Sequence, residues 1–227
     1  MYILEGNIGV GKSTFLNLVA RGCSQISIIQ EQLGSWDNRE RGKSLLEQFY
    51  NNPKRWAYTM ETLSMVTRVK DHVEQQKHPN PNRIMERSVY SGHYCFAVNG
   101  NHYGFFNEIE WAIYVQWVRF LLYQRCQPPR GFIYLKADPE VCMQRVYKRG
   151  RLSEKSLSLD YIRQIHDRHE AFLVQKADVF DNLKEVPVLV LDCNREFESC
   201  KEVMAEHLDR VKAFLQENSQ QIDLKTL

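Results

Sequence analysis

The stretch Gly6-Asn7-Ile8-Gly9-Val10-Gly11-Lys12-Ser13 decides the fold. It has the form GxxxxGK[ST], and its setting is the one that form requires. A short apolar run, Tyr2 to Glu5, precedes it, and a helical run, Ser13 to Arg21, follows. Glycines at these spacings let backbone N–H groups converge on phosphate oxygens, and the N-terminus of the following helix adds positive potential. The loop from Gly6 through Thr14, with Asn7, Ile8, Gly9, Val10 and Gly11 between, is therefore read as a cradle for a nucleoside triphosphate. Lys12 is expected to neutralise the β- and γ-phosphates and Ser13 to ligate Mg²⁺. The motif indicates a phosphoryl donor and leaves the acceptor open.

Outward from the loop, short apolar runs without polar alternation recur at 26–30, 83–85, 131–136 and 186–191. Such runs suit parallel strands buried on both faces. Helical stretches at 53–76, 107–124, 139–148, 159–174 and 196–216 alternate with them. The first stops before His78-Pro79-Asn80-Pro81-Asn82 and the second before Gln127-Pro128-Pro129, both helix breakers. The pattern predicts an α/β fold, a P-loop NTPase with a doubly wound five-stranded parallel sheet flanked by helices. A single domain is expected over 1–227, with a short arginine-rich lid at about 145–157 and a polar, frayed tail at about 217–227.

The 227 residues suffice for a full core, and 43% hydrophobic with 26% charged residues is a soluble globular composition. A net charge of +2 gives no support to a nucleic-acid coat or a polybasic membrane surface. No apolar run nears the ~20 residues of a membrane span, so neither nucleic acid nor membrane is expected as a partner. The six cysteines lack metal-ligand spacing and read as reduced thiols. With no leader visible at the start, the expected compartment is cytoplasmic, an organellar mature form being the alternative. His166 and His169 have no third ligand nearby and are read as structural or solvent-facing.

Open α/β sheets place ligands at the C-terminal ends of their strands. Two predicted strands end in Ile28-Ile29-Gln30-Glu31 and Met85-Glu86-Arg87-Ser88, putting carboxylates beside the phosphate loop. Arg145, Lys148, Arg149 and Arg151 follow the fourth strand, with Arg145 and Arg149 on one helix face and Gly150 as a joint. Such a lid supplies positive charge where negative charge develops and excludes water from the transfer.

Together these residues resemble the deoxyribonucleoside kinases. The resemblance runs from Ile3 to about Phe214 and is carried by EGNIGVGKST (5–14), RWAYTMETLSMVTRVK (55–70), MERSVYSGHYCFA (85–97), GFIYLKADPEVCMQRVYKRGR (131–151) and VPVLVLDCN (186–194). It implies ATP-dependent phosphorylation of a small-molecule deoxynucleoside on its 5′-hydroxyl, with Mg²⁺, by a homodimer joined through a helix bundle. The helices holding Trp56 to Val73 and Trp111 to Tyr123 would lie near that contact. By the same resemblance Glu31 is the general base and Arg87 holds the 5′-oxygen and the transferring phosphate. Glu86 helps organise Mg²⁺, and Arg145, Arg149 and Arg151 are the lid arginines. Tyr50 and Glu154 grip the sugar 3′-hydroxyl. Trp36, Tyr58 and Phe96 match or adjoin aromatic positions of the base pocket, and Asp192, Cys193 and Asn194 match the loop beside the donor adenine.

Departures from the family pattern fall on the base pocket. Glu61 stands where the family has a base-reading glutamine, and an ionised glutamate offers only acceptors. With Arg68 two helical turns on, it would complement the N1–H and N2–H₂ donors and the O6 and N7 acceptors of guanine. Gly92 replaces the aspartate of the purine-accepting branches and leaves room for a thymine methyl, which supports a thymidine, pyrimidine or broad-specificity alternative. A third reading pairs Glu61 with Arg68. His93 replaces a customary arginine, which implies a looser base pocket. A nucleoside monophosphate kinase would need cations for an acceptor phosphate, and a non-catalytic subunit would be expected to lose Lys12, Glu31 or Arg87.

Overall fold

The computed structural model describes residues 1–31 and 44–223, with side chains described as far as Asn218. Five strands form one all-parallel sheet: β1 (Tyr2–Gly6), β2 (Ser27–Ile29), β3 (Arg83–Glu86), β4 (Phe132–Lys136) and β5 (Val188–Asp192), in the order β2-β3-β1-β4-β5. Every residue of β1 and β3 is buried, whereas β2 and β5 at the sheet edges are partly open. Continuous apolar runs therefore fall in the centre, where helices cover both faces.

Alternation along the strands sorts the core into two layers. Tyr2, Leu4, Ile84, Ile133 and Leu135 pack with α1 (Lys12–Gly22), α7 (Pro139–Arg149) and the C-terminal α10 (Lys201–Asp223). Ile3, Met85, Phe132 and Tyr134 face α3 (Pro53–Gln76) and α6 (Glu108–Arg125). α3 starts at Pro53 behind an Asn52 side chain that accepts from Arg55 N, and α6 starts in a reciprocal Asn107–Glu110 capping box. The register pairs Leu4 with Glu86, and Arg87 N donates to Leu4 O at 2.9 Å. The end of β3 is thereby held beside the phosphate loop at the end of β1.

Three helical segments lie beyond the sequence reading: α2 (Leu45–Asn51), α9 (Asp181–Lys184) and a composite rod after β3. The rod begins as α4 (Val89–Ser91), widens to a π-helical segment (Gly92–Ala97) and ends as α5 (Val98–His102). Most of it is buried on every side, so it carries no amphipathic period. A second π segment, Glu170–Val174, extends α8 (Leu159–His169). α10 starts at Lys201 and continues through Asp223, and Asn218 is buried with its amide donating to Phe214 O. Beyond α7, Gly150 takes φ +66° and turns the chain into a single 3₁₀ turn, Leu152–Glu154. Ser156 Oγ then meets Asn51 Oδ1 at 2.6 Å, joining the segment after Gly150 to α2.

Candidate active site

The phosphate loop encloses the N-terminus of α1. Gly9 has φ +81°, and a Cβ there would stand 2.3 Å from Cys142 O, so the loop closes against α7 only with glycine. Asn7 fixes the loop, donating to Ile162 O at 2.9 Å and accepting from Ile8 N. Arg145 donates to Val10 O at 3.1 Å. Lys12 curls back, its ammonium donating to Gly6 O and Asn7 O at 3.0 and 2.8 Å. Burial, and Arg87 next, push Lys12 down to about 7, against the pull of Glu86, Glu31 and Glu5. Ser13 Oγ donates to Glu86 at 2.9 and 3.2 Å, bringing the two expected Mg²⁺ oxygens together. A hydroxyl and a carboxylate at a phosphate loop suit Mg²⁺, which takes a few protein oxygens and completes its shell with phosphate and water. No group of three His, Cys, Asp or Glu among the described residues suits a metal bound by protein alone.

A cavity of about 210 Å³ opens from Lys12, Ser13 and Thr14. Most of the expected residues line it: Glu31, Tyr50, Glu61, Arg68, Glu86, Arg87, Phe96, Arg149, Arg151 and Glu154, with Ile8, Gly9 and Gly11. Glu31, at the end of β2, receives Arg68 Nη2 at 2.7 Å and Nε at 3.2 Å on one oxygen, and Arg87 Nε lies 3.5 Å from the other. Burial works to raise the Glu31 carboxyl, but Arg68 and Arg87 outweigh it and hold it below the usual carboxylate range. Arg87 sits at φ +61°, its guanidinium 4.8 Å above the Phe96 ring. Its buried Nη1 has no hydrogen-bond partner among the described residues, a donor aimed at an acceptor still to come.

Glu61 lines the same cavity from α3, where it is buried and lifted to about 7 by burial, against Arg68, Ser64 and Arg87. Arg68 extends to Glu31 and is at the same time the strongest cation acting on Glu61. Burial, with Glu154 nearby, raises the Tyr50 hydroxyl above its usual range. Glu154 accepts twice from Arg149 Nη2 at 2.8 Å and has Arg151 at 3.6 Å. Two of the arginines expected in a lid thus rest on the residue expected at the sugar.

Other expected residues do not line this cavity. Tyr58 packs against the α3–α6 side of the core and does not line the cavity. Asp192, Cys193 and Asn194 form a clasp: Cys193 N donates to Lys136 O, and Asn194 Oδ1 accepts from Asp138 N. The loop they begin continues into a cleft lined by Thr14, Arg145, Lys148, Glu196, Phe197 and Glu198, with Arg145 over the Phe197 ring at 5.6 Å. His93 points away from the cavity into an aromatic stack with Trp111, Tyr114 and Phe180, where burial lowers it to about 4. The looser pocket expected from this change therefore has no support at His93. His169 is likewise structural, hydrogen-bonded to Ile165 O and stacked on Tyr134. Trp36 lies outside the described residues. Phe49, Met60 and Tyr161 line the cavity without having been singled out, because aromatic and apolar residues on amphipathic helices read as core.

A P-loop kinase is the class of protein that this sheet, loop and cavity define. The chain belongs to the deoxynucleoside kinase family, whose family model matches residues 2–216. It is 38% identical to deoxyguanosine kinase, mitochondrial, of Xenopus laevis, over 93% of this chain and 88% of that protein. It is 37% identical to deoxycytidine kinase 2 of Gallus gallus and 34% identical to deoxycytidine kinase of Homo sapiens, in each case over 93% of this chain and 89% of the relative. Among the described residues, no helix is long and apolar enough to cross a membrane.

Proposed function

We propose that this chain transfers the γ-phosphoryl group of ATP to the 5′-hydroxyl of a 2′-deoxyribonucleoside, giving the 5′-monophosphate. The observation that carries this is that Glu31 and Arg87 share one cavity with the phosphate loop and with Glu61, Tyr50 and Glu154. Glu31 takes the proton of the 5′-hydroxyl as its oxygen attacks phosphorus in line. Arg87 donates its unpartnered Nη1 to the transferring group, and Lys12 follows the charge on the β- and γ-oxygens. Ser13 and Glu86 would hold Mg²⁺, which supplies charge neutralisation to the phosphates. Arg149 and Arg151 leave Glu154 for phosphate as the lid closes, and Glu154 with Tyr50 takes the sugar 3′-hydroxyl. An acceptor end with two carboxylates favours an uncharged nucleoside over a nucleoside monophosphate, whose phosphate they would repel.

The base preference we propose is guanine, through Glu61 and Arg68, with broad or pyrimidine specificity as the alternative supported by the small Gly92. We propose further that a homodimer forms through α3 and α6. Ile109, Ile113, Trp117 and Phe120 make an exposed apolar stripe at helical spacing, with Leu63 and Val66 exposed on α3. The test is the ATP-dependent rate on the four deoxynucleosides at equal concentration, for the wild type and Glu31→Gln. Turnover in the wild type and a loss of roughly 10²–10⁴-fold in Glu31→Gln are expected. Near-normal Glu31→Gln turnover would overturn the base assignment, and a lead for thymidine or deoxycytidine would overturn the guanine preference.

A further inference from the structure

Arg68 acts on both carboxylates of the cavity, Glu31 and Glu61. Its guanidinium binds Glu31 at 2.7 Å, while Glu61, two turns earlier on α3, feels it as the strongest neighbouring cation. The route to Glu31 runs over Gly92. A Cβ at that position would lie 2.8 Å from Arg68 Nη1, too close for the guanidinium to stay where it is. Gly92 has ordinary right-handed helical dihedrals, so its lack of a side chain serves this passage and not the backbone. We propose that Arg68 is a positioning residue that couples the nucleobase to Glu31: Gly92 gives it room to clamp the carboxylate before a nucleoside binds, and acceptor atoms of the incoming base draw it away. This rests on the reading of Glu31 as the proton acceptor.

The coupling follows from the charges around Glu31. Arg68 and Asp71 face it from α3, Glu86 and Arg87 from the end of β3, and Lys12 from α1. With Arg68 in place, the two guanidiniums overcome the effect of burial and make Glu31 a weak base. With Arg68 on the base, burial regains weight and the carboxylate becomes a stronger proton acceptor as the 5′-hydroxyl arrives. A ligand shifts such an equilibrium only by binding one arrangement better, and ring-nitrogen or carbonyl acceptors provide that difference. The device thus favours acceptors that carry a base and leaves Glu31 restrained otherwise.

The test compares pH profiles of kcat/KM, which report the free enzyme, with those of kcat, which report the bound complex. All profiles are taken on a Glu61→Gln background, so that residue's titration does not enter. The acceptors are the fastest deoxynucleoside and 1,2-dideoxyribose, a sugar with a 5′-hydroxyl and no base. Expected is an acid limb of kcat lying about one pH unit above that of kcat/KM for the nucleoside. Introducing Gly92→Ala should raise the kcat/KM limb until the two coincide, and should raise kcat/KM for the base-less sugar several-fold relative to the nucleoside. Arg68→Met should shift the kcat/KM limb in the same direction, which covers the case in which the helix rod rejects the alanine. Coincident limbs without Gly92→Ala, or limbs that neither substitution moves, would overturn the coupling while a dead Glu31→Gln left the base assignment standing. An active Glu31→Gln would remove both.

Discussion

Lys12 and Glu61 show how the same burial acts on opposite charges. Burial takes the Lys12 ammonium down to about 7 and lifts the Glu61 carboxyl to about 7. Polyphosphate beside Lys12 must raise it again, so ATP binding at pH 8, where most of the free lysine is neutral, should take up as much as about one proton per site. At pH 6 the lysine is already charged and the uptake should vanish. Calorimetry in buffers of different ionisation enthalpy reads this directly. Glu61 gives a second pH signature. Below pH 7 a neutral carboxyl offers one donor and one acceptor, as glutamine does, and above it only acceptors remain. The ratio of kcat/KM for deoxyguanosine over deoxycytidine should therefore rise roughly tenfold from pH 6 to 8, and stay flat in Glu61→Gln. At this scale the sequence disclosed identity but not environment. Glu61 was recognisable as a replaced base reader, yet its neutral share at pH 7 depends on packing that no spacing reveals. Arg68 was recognisable as two turns from Glu61, while its turn toward Glu31 depends on the gap at Gly92.

Elements were legible in proportion to their amphipathic signal. α3 lies at Pro53–Gln76 as the sequence predicts, because proline, the Asn52 cap and the breaker after Lys77 mark both ends. The rod from Val89 to His102 was missed because burial on most sides removes the 3.6-residue period, and the π segment within it shifts the faces further. That rod carries Gly92 and Phe96, so the part of the site hardest to place from sequence is the part mounted on it. The phosphate loop is the opposite case, since its conformation is dictated by residue type. Gly9→Ala should forfeit it: the new methyl would meet a backbone carbonyl at 2.3 Å and the left-handed φ adds strain of about 1–3 kcal/mol. Loss of measurable ATP binding and a lower Tm are expected, checked by titration and thermal melts. Unchanged ATP affinity would mean that the loop does not need to close on α7.

For the whole molecule, five strand runs sufficed to anticipate the layered architecture, because central strands of a parallel sheet must be apolar throughout. Strand order was not written in any single run and emerges from which helices cover which face. The exposed stripe on α6 belongs to this scale too. Trp117 is 49% exposed and Ile113 40%, and a second copy of the same stripe would bury both. Trp117→Glu should convert a dimer into a monomer in sedimentation velocity, with the fold retained by circular dichroism. A wild type that sediments as a monomer would remove the proposed contact. One small contact also links distant parts of the chain. Ser156 and Asn51, 2.6 Å apart, tie the segment after Gly150 to the helix that presents Tyr50. On the proposed reading, any displacement of that segment is felt at once by the helix that carries Tyr50, so the two ends of the reaction are mechanically joined through a single side-chain contact.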